Sequence, residues 1–504
     1  MMRHTMGAPH AILRAQAAEL EATLVQQRTE AERAAEQHKR VINATETRLA
    51  SIQQQLQLIT YPADTLPPEI LCEIFRFYHK ADAAAGNPLQ PLSSPNPLTR
   101  VCRTWRRTAL SLSELWCSLT IDLVSPEPLP RRMPQILAAR VAAARSRPLK
   151  VALTGHPGRQ NPSPAVDVED LRPFFVRYAP RMAELTLHQA HADVFDIMDD
   201  WDLDFPLLED ATLSHACIYG GLHASFCILN NAPRLRKLEL ENVQIWPMYA
   251  HVSWTSLTHL VSTAATSVAE CLRALKFLPL LEDFLVTLAS DCRQYNTSPF
   301  KHDRLQSVQI YYEEARHLNS LLGTLTLPGL QKLELGGVGL APYGTTKMEA
   351  FLRRSSPPLS DLSLMPAPIT LEDLLPFTGN GTSRRNLVNL KINFPSPAFT
   401  EQFLDAWASD AGFCSEMMSL SFHLRYREGA LEVFLKRVAE TTSRRREIVA
   451  VAAFKLRRLE IGCTIPGDRI WLDEELAGLR QLKADGLDVF LGDLLNHKPT
   501  TSIV

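Results

Sequence analysis

The pattern Leu-x-x-Leu-x-Leu recurs along the carboxyl-terminal part of the chain, and it constrains the fold more than any other sequence feature. Clear copies begin at Leu235, Leu330, Leu359, Leu387 and Leu456. Weaker copies begin at Met182, Leu208, Leu257, Leu281, Leu305 and Met417. The first ten starts lie 22 to 30 residues apart, and the last follows after 39 residues. A period of this size indicates an array of small structural repeats.

Each copy combines a strand-like segment with a helix-like one, such as residues 268–279. One such unit cannot bury its own apolar face, but stacked neighbours can. We therefore expect successive strands to join into a parallel sheet. The pattern resembles leucine-rich repeats, although the Asn or Cys expected late in each repeat is mostly missing. The resemblance implies strands on a concave side and helices on a convex side, and the 39-residue gap indicates an insertion around 440–450.

The predicted fold class is α/β. It comprises a long amino-terminal helix, a small all-α domain, and an irregular leucine-rich-repeat solenoid over residues 119–504. Strand-like runs at 117–124 and 149–153 precede the repeats.

Side chains between the inward leucines should lie on the outer face of the sheet, because strand side chains alternate between faces. Most of them are polar, as a solvated face requires, so any single one is explained by solvation alone. The surface as a whole suits partner binding, since curved repeat arrays present extended surfaces used in this way. The candidate substrate-binding residues are Lys237, Glu239, Gln309, Lys332, Glu334, Ser363, Lys391, Ser421 and Glu460.

Residues 11–60 are rich in Ala, Glu, Gln and Arg and contain no Pro or Gly, which favours one long helix after a disordered segment 1–10. Its later part carries apolar residues at heptad spacing, namely Ile42, Leu49, Ile52, Leu56 and Ile59. Two interpretations remain open. The helix either forms a short coiled coil through which the chain self-associates, or it packs against the body of the protein.

Two segments, 66–75 and 98–107, carry apolar residues at helical spacing and contain no catalytic chemistry. Pro67 and Pro68 suit the first turn of a helix, where a missing N–H costs nothing. Glu69 complements the positive end of the helix dipole. The segments therefore predict two short helices, each with an apolar face.

Residues 62–118 resemble the F-box through L-P-x-E-I-L-x-x-I-F at 66–75, V-C-x-x-W at 101–105 and the pair Leu115-Trp116. The resemblance implies docking onto the Skp-type adaptor of a cullin-RING ubiquitin ligase and, through it, onto the cullin scaffold. Residues 80–97 depart from the compact motif and are interpreted as an inserted loop. Carried over by position, the adaptor-facing residues are Leu66, Pro67, Ile70, Leu71, Ile74, Phe75, Val101, Cys102 and Trp105.

The 504 residues carry a formal net charge of -2, so no bulk attraction to nucleic acid or to an anionic membrane is expected. The nine cysteines form no CxxC motif and favour reduced thiols. No stretch resembles a signal peptide or a membrane span, so the expected location is the cytoplasm or the nucleus. Arg444, Arg445 and Arg446 are interpreted as a solvated helix end.

No phosphate-binding loop, dinucleotide fingerprint or nucleophile elbow is present. Asp200, Asp202 and Asp204 match the start of a calcium loop, but its required Gly and Glu are absent. His188 and His191 lack further ligands at zinc-binding spacing. The expectation is thus a non-catalytic substrate receptor of an SCF-type ligase without metal or cofactor. The alternative is a scaffold that uses its amino-terminal helix and its repeats without a ligase role.

Overall fold

The computed structural model describes residues 8–58, 66–85, 97–123, 133–155, 168–215, 228–243, 254–289, 299–337, 345–365, 369–378, 387–424, 428–449, 454–463 and 473–493. The chain divides into two compact units, Met1–Ile74 and Phe75–Val504. This division falls inside a helix of the F-box-like segment.

The described helices are α1 (Ala8–Leu58), α2 (Pro68–Ala85), α3 (Arg103–Ser111), α4 (Met133–Ala144), α5 (Arg172–Tyr178), α6 (Ala192–Asp199), α7 (Val268–Phe277), α8 (Ala315–Thr324), α9 (Thr345–Ser355), α10 (Leu371–Thr378), α11 (Pro397–Ser409), α12 (Glu428–Ile448) and α13 (Asp473–Ala484). Short 3-10 turns occur at Leu98–Arg100, Ser113–Trp116, Val168–Leu171 and Ala179–Arg181.

The described strands are β1 (Ser118–Asp122), β2 (Leu149–Thr154), β3 (Met182–Ala190), β4 (Asp210–His215), β5 (Lys237–Glu241), β6 (His259–Thr266), β7 (Asp283–Leu288), β8 (Phe300–Lys301), β9 (Ser307–Tyr312), β10 (Leu325–Thr326), β11 (Lys332–Gly337), β12 (Asp361–Leu364), β13 (Asn389–Asn393), β14 (Ser419–Leu424), β15 (Arg458–Cys463) and β16 (Asp488–Asp493).

Helix α1 confirms the predicted long helix, but it begins earlier than expected. Residues 8–10 are helical rather than disordered, and residues 1–7 and 59–65 lie outside the described part. The heptad residues Ile42, Leu49 and Ile52 are 54%, 56% and 46% exposed. The side chains of Leu56 and Ile59 lie outside the described residues.

Fourteen strands form one parallel sheet in which neighbours follow the chain order, except that β8 and β10 pair separately. Nearly every predicted copy of the leucine pattern begins two residues before a strand, as Leu235 does before β5. Strands β1 and β2 join the same sheet at one end. The structure is therefore mixed α/β, with a long amino-terminal helix and a large open sheet.

One hydrogen-bonding arrangement repeats between successive units. The carbonyl of the residue before a strand accepts two N–H groups from the next unit, as Glu209 accepts from Arg236 at 2.9 Å and from Lys237 at 3.0 Å. The same arrangement joins Gln306 to Gln331 and Lys332. These paired hydrogen bonds align the start of one strand with the start of the next, even where the sequence repeats are irregular.

The connecting helices cover one face of the sheet. On β14 the ring of Phe422 lies 5.9 Å from Phe403 of α11 and 5.4 Å from Phe434 of α12. The leucines of the repeats are buried on this face, and Leu238 and Leu240 of β5 are both 0% exposed. Apolar burial between strands and helices therefore stabilises the packing of these units.

The extra residues in the last long gap extend α12 to 21 residues. The prediction of a solvated arginine run was wrong for Arg445, which is 3% exposed. Its guanidinium donates to the carbonyls of Trp407, Asp410, Ala411 and Phe413 at the end of α11. Arg444 is exposed, as expected.

The first residues of the predicted inserted loop at 80–97 are helical instead. Helix α2 continues through Ala85, because residues 81–85 are rich in alanine, the strongest helix former. Residues 86–96 lie outside the described part. No described helix is long and apolar enough to cross a membrane.

Candidate binding surfaces

Helix α2 begins where the sequence predicted. The Pro67 carbonyl accepts from the N–H groups of Ile70 at 3.0 Å and Leu71 at 3.1 Å, and Pro68 is the first helical residue. Glu69 lies in the first turn. Leu66 is partly buried and Pro67 is exposed.

Helix α2 has two apolar faces with opposite environments. Leu71 and Phe75, one turn apart, are both 0% exposed. Ile70 and Ile74 are 48% and 41% exposed, and Phe77 extends their face at 76% exposure. Residues three and four apart share one side of a helix, so these three form a continuous apolar stripe. Phe77 is not among the predicted adaptor-facing residues, although its spacing from Ile74 places it on the same side of the helix.

Buried aromatic contacts hold the second part of α2 against α3. The rings of Phe75 and Trp105 meet edge to face with centroids 5.0 Å apart. Arg76 Nε donates to Glu114 Oε1 at 2.5 Å. Trp105 is half-buried, and its Nε1 atom is buried without an acceptor among the described residues.

Cys102 has a capping role that the sequence did not predict. Its backbone is extended, and its Sγ accepts from the Trp105 N–H at 3.4 Å, so it is the N-cap of α3. The residue before it, Val101, is 57% exposed.

The predicted adaptor-facing set therefore has mixed placements. Ile70, Ile74 and Val101 present apolar side chains to solvent, whereas Leu71 and Phe75 belong to the core. Of the remaining members, Leu66, Cys102 and Trp105 are partly buried and Pro67 is exposed. Adaptor binding itself stays a prediction.

The second candidate surface is the face of the sheet opposite the helices, called here the open face. Its first row follows strand register through Lys150, Glu184, Asp210, Lys237, His259, Asp283, Ser307, Lys332, Asp361, Asn389, Ser419, Arg458 and Asp488. Its second row runs through Ala152, Thr186, Thr212, Glu239, Val261, Leu285, Gln309, Glu334, Ser363, Lys391, Ser421, Glu460 and Phe490.

The structure brings most predicted substrate-binding residues together. Six of them are direct neighbours in the second row, namely Gln309, Glu334, Ser363, Lys391, Ser421 and Glu460. Glu239 is separated from them by Val261 and Leu285, and Lys237 and Lys332 lie in the first row. Ser421 departs from the expected exposure, because only 7% of it is accessible.

Charged residues of the first row largely compensate one another. Lys150 pairs with Glu184, and His259 Nε2 lies 2.9 Å from Asp283 Oδ2. Asp210 is partly buried beside Lys237, and burial raises the pKa of its carboxyl despite that lysine. Such cross-strand pairs stabilise the sheet and need no ligand.

The centre of the open face is less polar. Val261 and Leu285 are neighbours in the second row and only partly buried. Beside them Tyr311 donates through its hydroxyl to Glu334 Oε1 at 2.6 Å. Burial and this carboxylate raise the pKa of Tyr311. Gly336 provides the space for the tyrosine ring, since a Cβ there would lie 2.4 Å from it.

Within the described ranges no group of three or more His, Cys, Asp or Glu side chains could hold a metal ion. His191 instead lies 3.2 Å from Asp193 at the start of α6. The six described cysteines, Cys72, Cys102, Cys117, Cys271, Cys414 and Cys463, are free thiols.

The chain matches no known family model, and no curated protein matches it. The resemblance to the F-box and to leucine-rich repeats therefore stays a prediction from the sequence motifs.

Proposed function

We propose that this chain is the non-catalytic substrate receptor of an SCF-type ubiquitin ligase. The F-box-like segment would bind a Skp-type adaptor, and the repeats would bind a protein substrate. The observation that carries the proposal is the exposed stripe of Ile70, Ile74 and Phe77 on a helix whose other apolar face is buried. An apolar stripe of this kind is typical of a protein interaction site.

Val101 supports the same proposal, since it is 57% exposed immediately before α3. Burying such side chains against an adaptor would contribute roughly 1.5–3 kcal/mol for each large aliphatic residue. The motif positions that are buried would act indirectly, by holding α2 and α3 in shape.

The repeats would serve as the substrate-binding arm, and we propose that they form a leucine-rich-repeat solenoid with the open face on its concave side. The neighbouring second-row residues from Gln309 to Glu460 give a continuous surface across six strands. Repeat arrays commonly use such a surface for partners.

Co-purification of the full chain with a purified Skp-type adaptor tests the proposal. Exposed residues are the informative targets, because truncating Leu71 or Trp105 would also disturb the core. We expect the triple variant Ile70→Ala, Ile74→Ala, Val101→Ala to lose adaptor binding. Each substitution is expected to weaken the free energy of adaptor binding by more than ~1 kcal/mol.

The matched control is the double variant Ile448→Ala, Val433→Ala on α12, where the side chains are 44% and 70% exposed. This variant should bind the adaptor as the wild type does. Absence of wild-type binding, or equal binding by the triple variant, would remove the basis of the proposal.

The scaffold alternative is favoured by one observation, the exposure of Ile42, Leu49 and Ile52 on α1. Sedimentation analysis of the full chain separates the two functions. A stable oligomer that Leu49→Asp dissociates, combined with no adaptor binding, would establish the scaffold.

A further inference from the structure

Lys391 occupies an unusual position on the open face. It is exposed in the second row of β13, with Ser363 of β12 on one side and Ser421 of β14 on the other. No ion pair or hydrogen bond joins its amine to any described residue. The acids of the same row, Glu334 and Glu460, are two strands away, roughly 10 Å at the usual strand spacing.

The two serines beside Lys391 each have an unsatisfied hydroxyl. Ser363 Oγ and Ser421 Oγ are buried, and neither has a hydrogen-bond partner among the described residues. Ser421 as a whole is 7% exposed. Most buried polar side-chain atoms in proteins have a hydrogen-bond partner, so each of these two hydroxyls calls for an explanation. A hydroxyl can donate to an oxyanion, as can the lysine amine.

Nearby acids do not compensate the Lys391 charge. Asp361 accepts from the Asn389 amide at 2.6 Å and from the Ser360 hydroxyl. Glu460 accepts from Arg458 at 3.3 Å. Burial and then the Lys391 charge lower the pKa of His423 on β14, which favours its neutral form.

We propose that Lys391, Ser363 and Ser421 form an oxyanion-binding subsite on the open face. Its ligand is an anionic group, a phosphoryl or a carboxylate, carried by a bound protein segment. Ser363 and Ser421 lie on strands two apart, roughly 10 Å at the usual spacing, so a given anion would contact the lysine amine and one of the two hydroxyls. Anion binding at the subsite depends only on these three residues, whereas its role in selecting substrates rests on the proposed receptor function.

The lysine charge and the serine hydroxyls contribute differently to anion binding at this subsite. Lys391 attracts any anion that reaches β13, whereas the flanking hydroxyls favour an oxygen acceptor between the two neighbouring strands. Lys332 provides the natural comparison, since it is an exposed open-face lysine whose row neighbours are Ser307 and Asp361. Its neighbouring carboxylate would repel the same ligand.

Thermal unfolding of the full chain with increasing inorganic phosphate tests the subsite, with NaCl holding the ionic strength constant. A ligand that binds only the folded state raises the melting temperature progressively with its concentration, and the half-saturating concentration is obtained by fitting that rise. A parallel series with acetate distinguishes the two sources of the oxyanion. Stabilisation by phosphate alone indicates a phosphoryl ligand, and comparable stabilisation by acetate indicates a carboxylate.

Lys391→Met should raise the half-saturating phosphate concentration about tenfold. Ser363→Ala, which keeps the charge, should raise it about threefold. Lys332→Met changes net charge equally and should leave the titration unchanged. If wild type and Lys391→Met respond identically, or Lys332→Met loses as much, the inference is wrong and the hydroxyls hold water. The Lys391→Met variant should still bind the adaptor. A failure of the proposed anion subsite can therefore be distinguished from a failure of the proposed receptor function.

Discussion

The parallel sheet and helix α2 use the same kinds of apolar residue in opposite ways. Ile392 on β13 and Ile461 on β15 are fully buried, whereas Ile74 on α2 is 41% exposed. In the sheet the apolar strand residues are covered by the connecting helices that the structure describes and by neighbouring units. Among the described side chains of α2, Leu71 and Phe75 are buried, whereas Ile70, Ile74 and Phe77 are exposed. Repetition therefore explains burial in the sheet, and the proposed adaptor would cover the exposed face of α2.

The same substitution in the two regions should give the largest contrast. Ile392→Ala leaves a cavity in a packed core and should lower the free energy of unfolding by about 2–5 kcal/mol. Ile74→Ala removes an exposed side chain and should change it by less than ~0.5 kcal/mol. Urea unfolding of both variants measures the difference. Equal losses would mean that Ile74 is a core residue and that the comparison fails.

Arg445 tests whether polar groups also hold the repeat region together. Arg445→Met leaves four carbonyls at the end of α11 without their donor, so we expect a loss of about 2–3 kcal/mol. Arg444→Met is the matched control, since that neighbour is exposed. Equal stability of the two variants would show that water replaces the guanidinium.

These contrasts mark what the sequence could and could not predict. The leucine pattern placed strands correctly because its spacing reports burial directly. It missed β16, whose leucines are not in the repeated pattern, and it missed the burial of Arg445. That side chain lies within a charged run, and only the folded chain brings the α11 carbonyls to it. The F-box-like motif likewise identified apolar positions on α2 but not which of them face solvent.

Helix caps give a smaller contrast between the two regions. In α7, Ser267 and Glu270 form a complete capping box. Ser267→Ala should therefore cost about 1 kcal/mol. In α3 the Cys102 thiol is a weak acceptor, so Cys102→Ala should cost less. Urea unfolding compares the two, and a larger loss at Cys102 would indicate a role beyond capping.

The smallest effect concerns His423. Burial is the main cause of its lowered pKa and the Lys391 charge is the second, so Lys391→Met should raise that pKa only part of the way to its ordinary value. Because the folded pKa is lowered, the unfolded chain binds more protons, and stability should fall as pH drops through about 6.5. Histidine-selective NMR titration measures the shift. An unchanged pKa would place the lysine charge away from His423.

Calorimetric titration of the full chain with a purified Skp-type adaptor tests the central claim most directly. The account predicts binding with a negative heat-capacity change, as burial of apolar surface requires. It also predicts that the triple variant at Ile70, Ile74 and Val101 loses this binding while the variant at Ile448 and Val433 keeps it. No measurable binding by the wild type, or undiminished binding by the triple variant, would contradict the account.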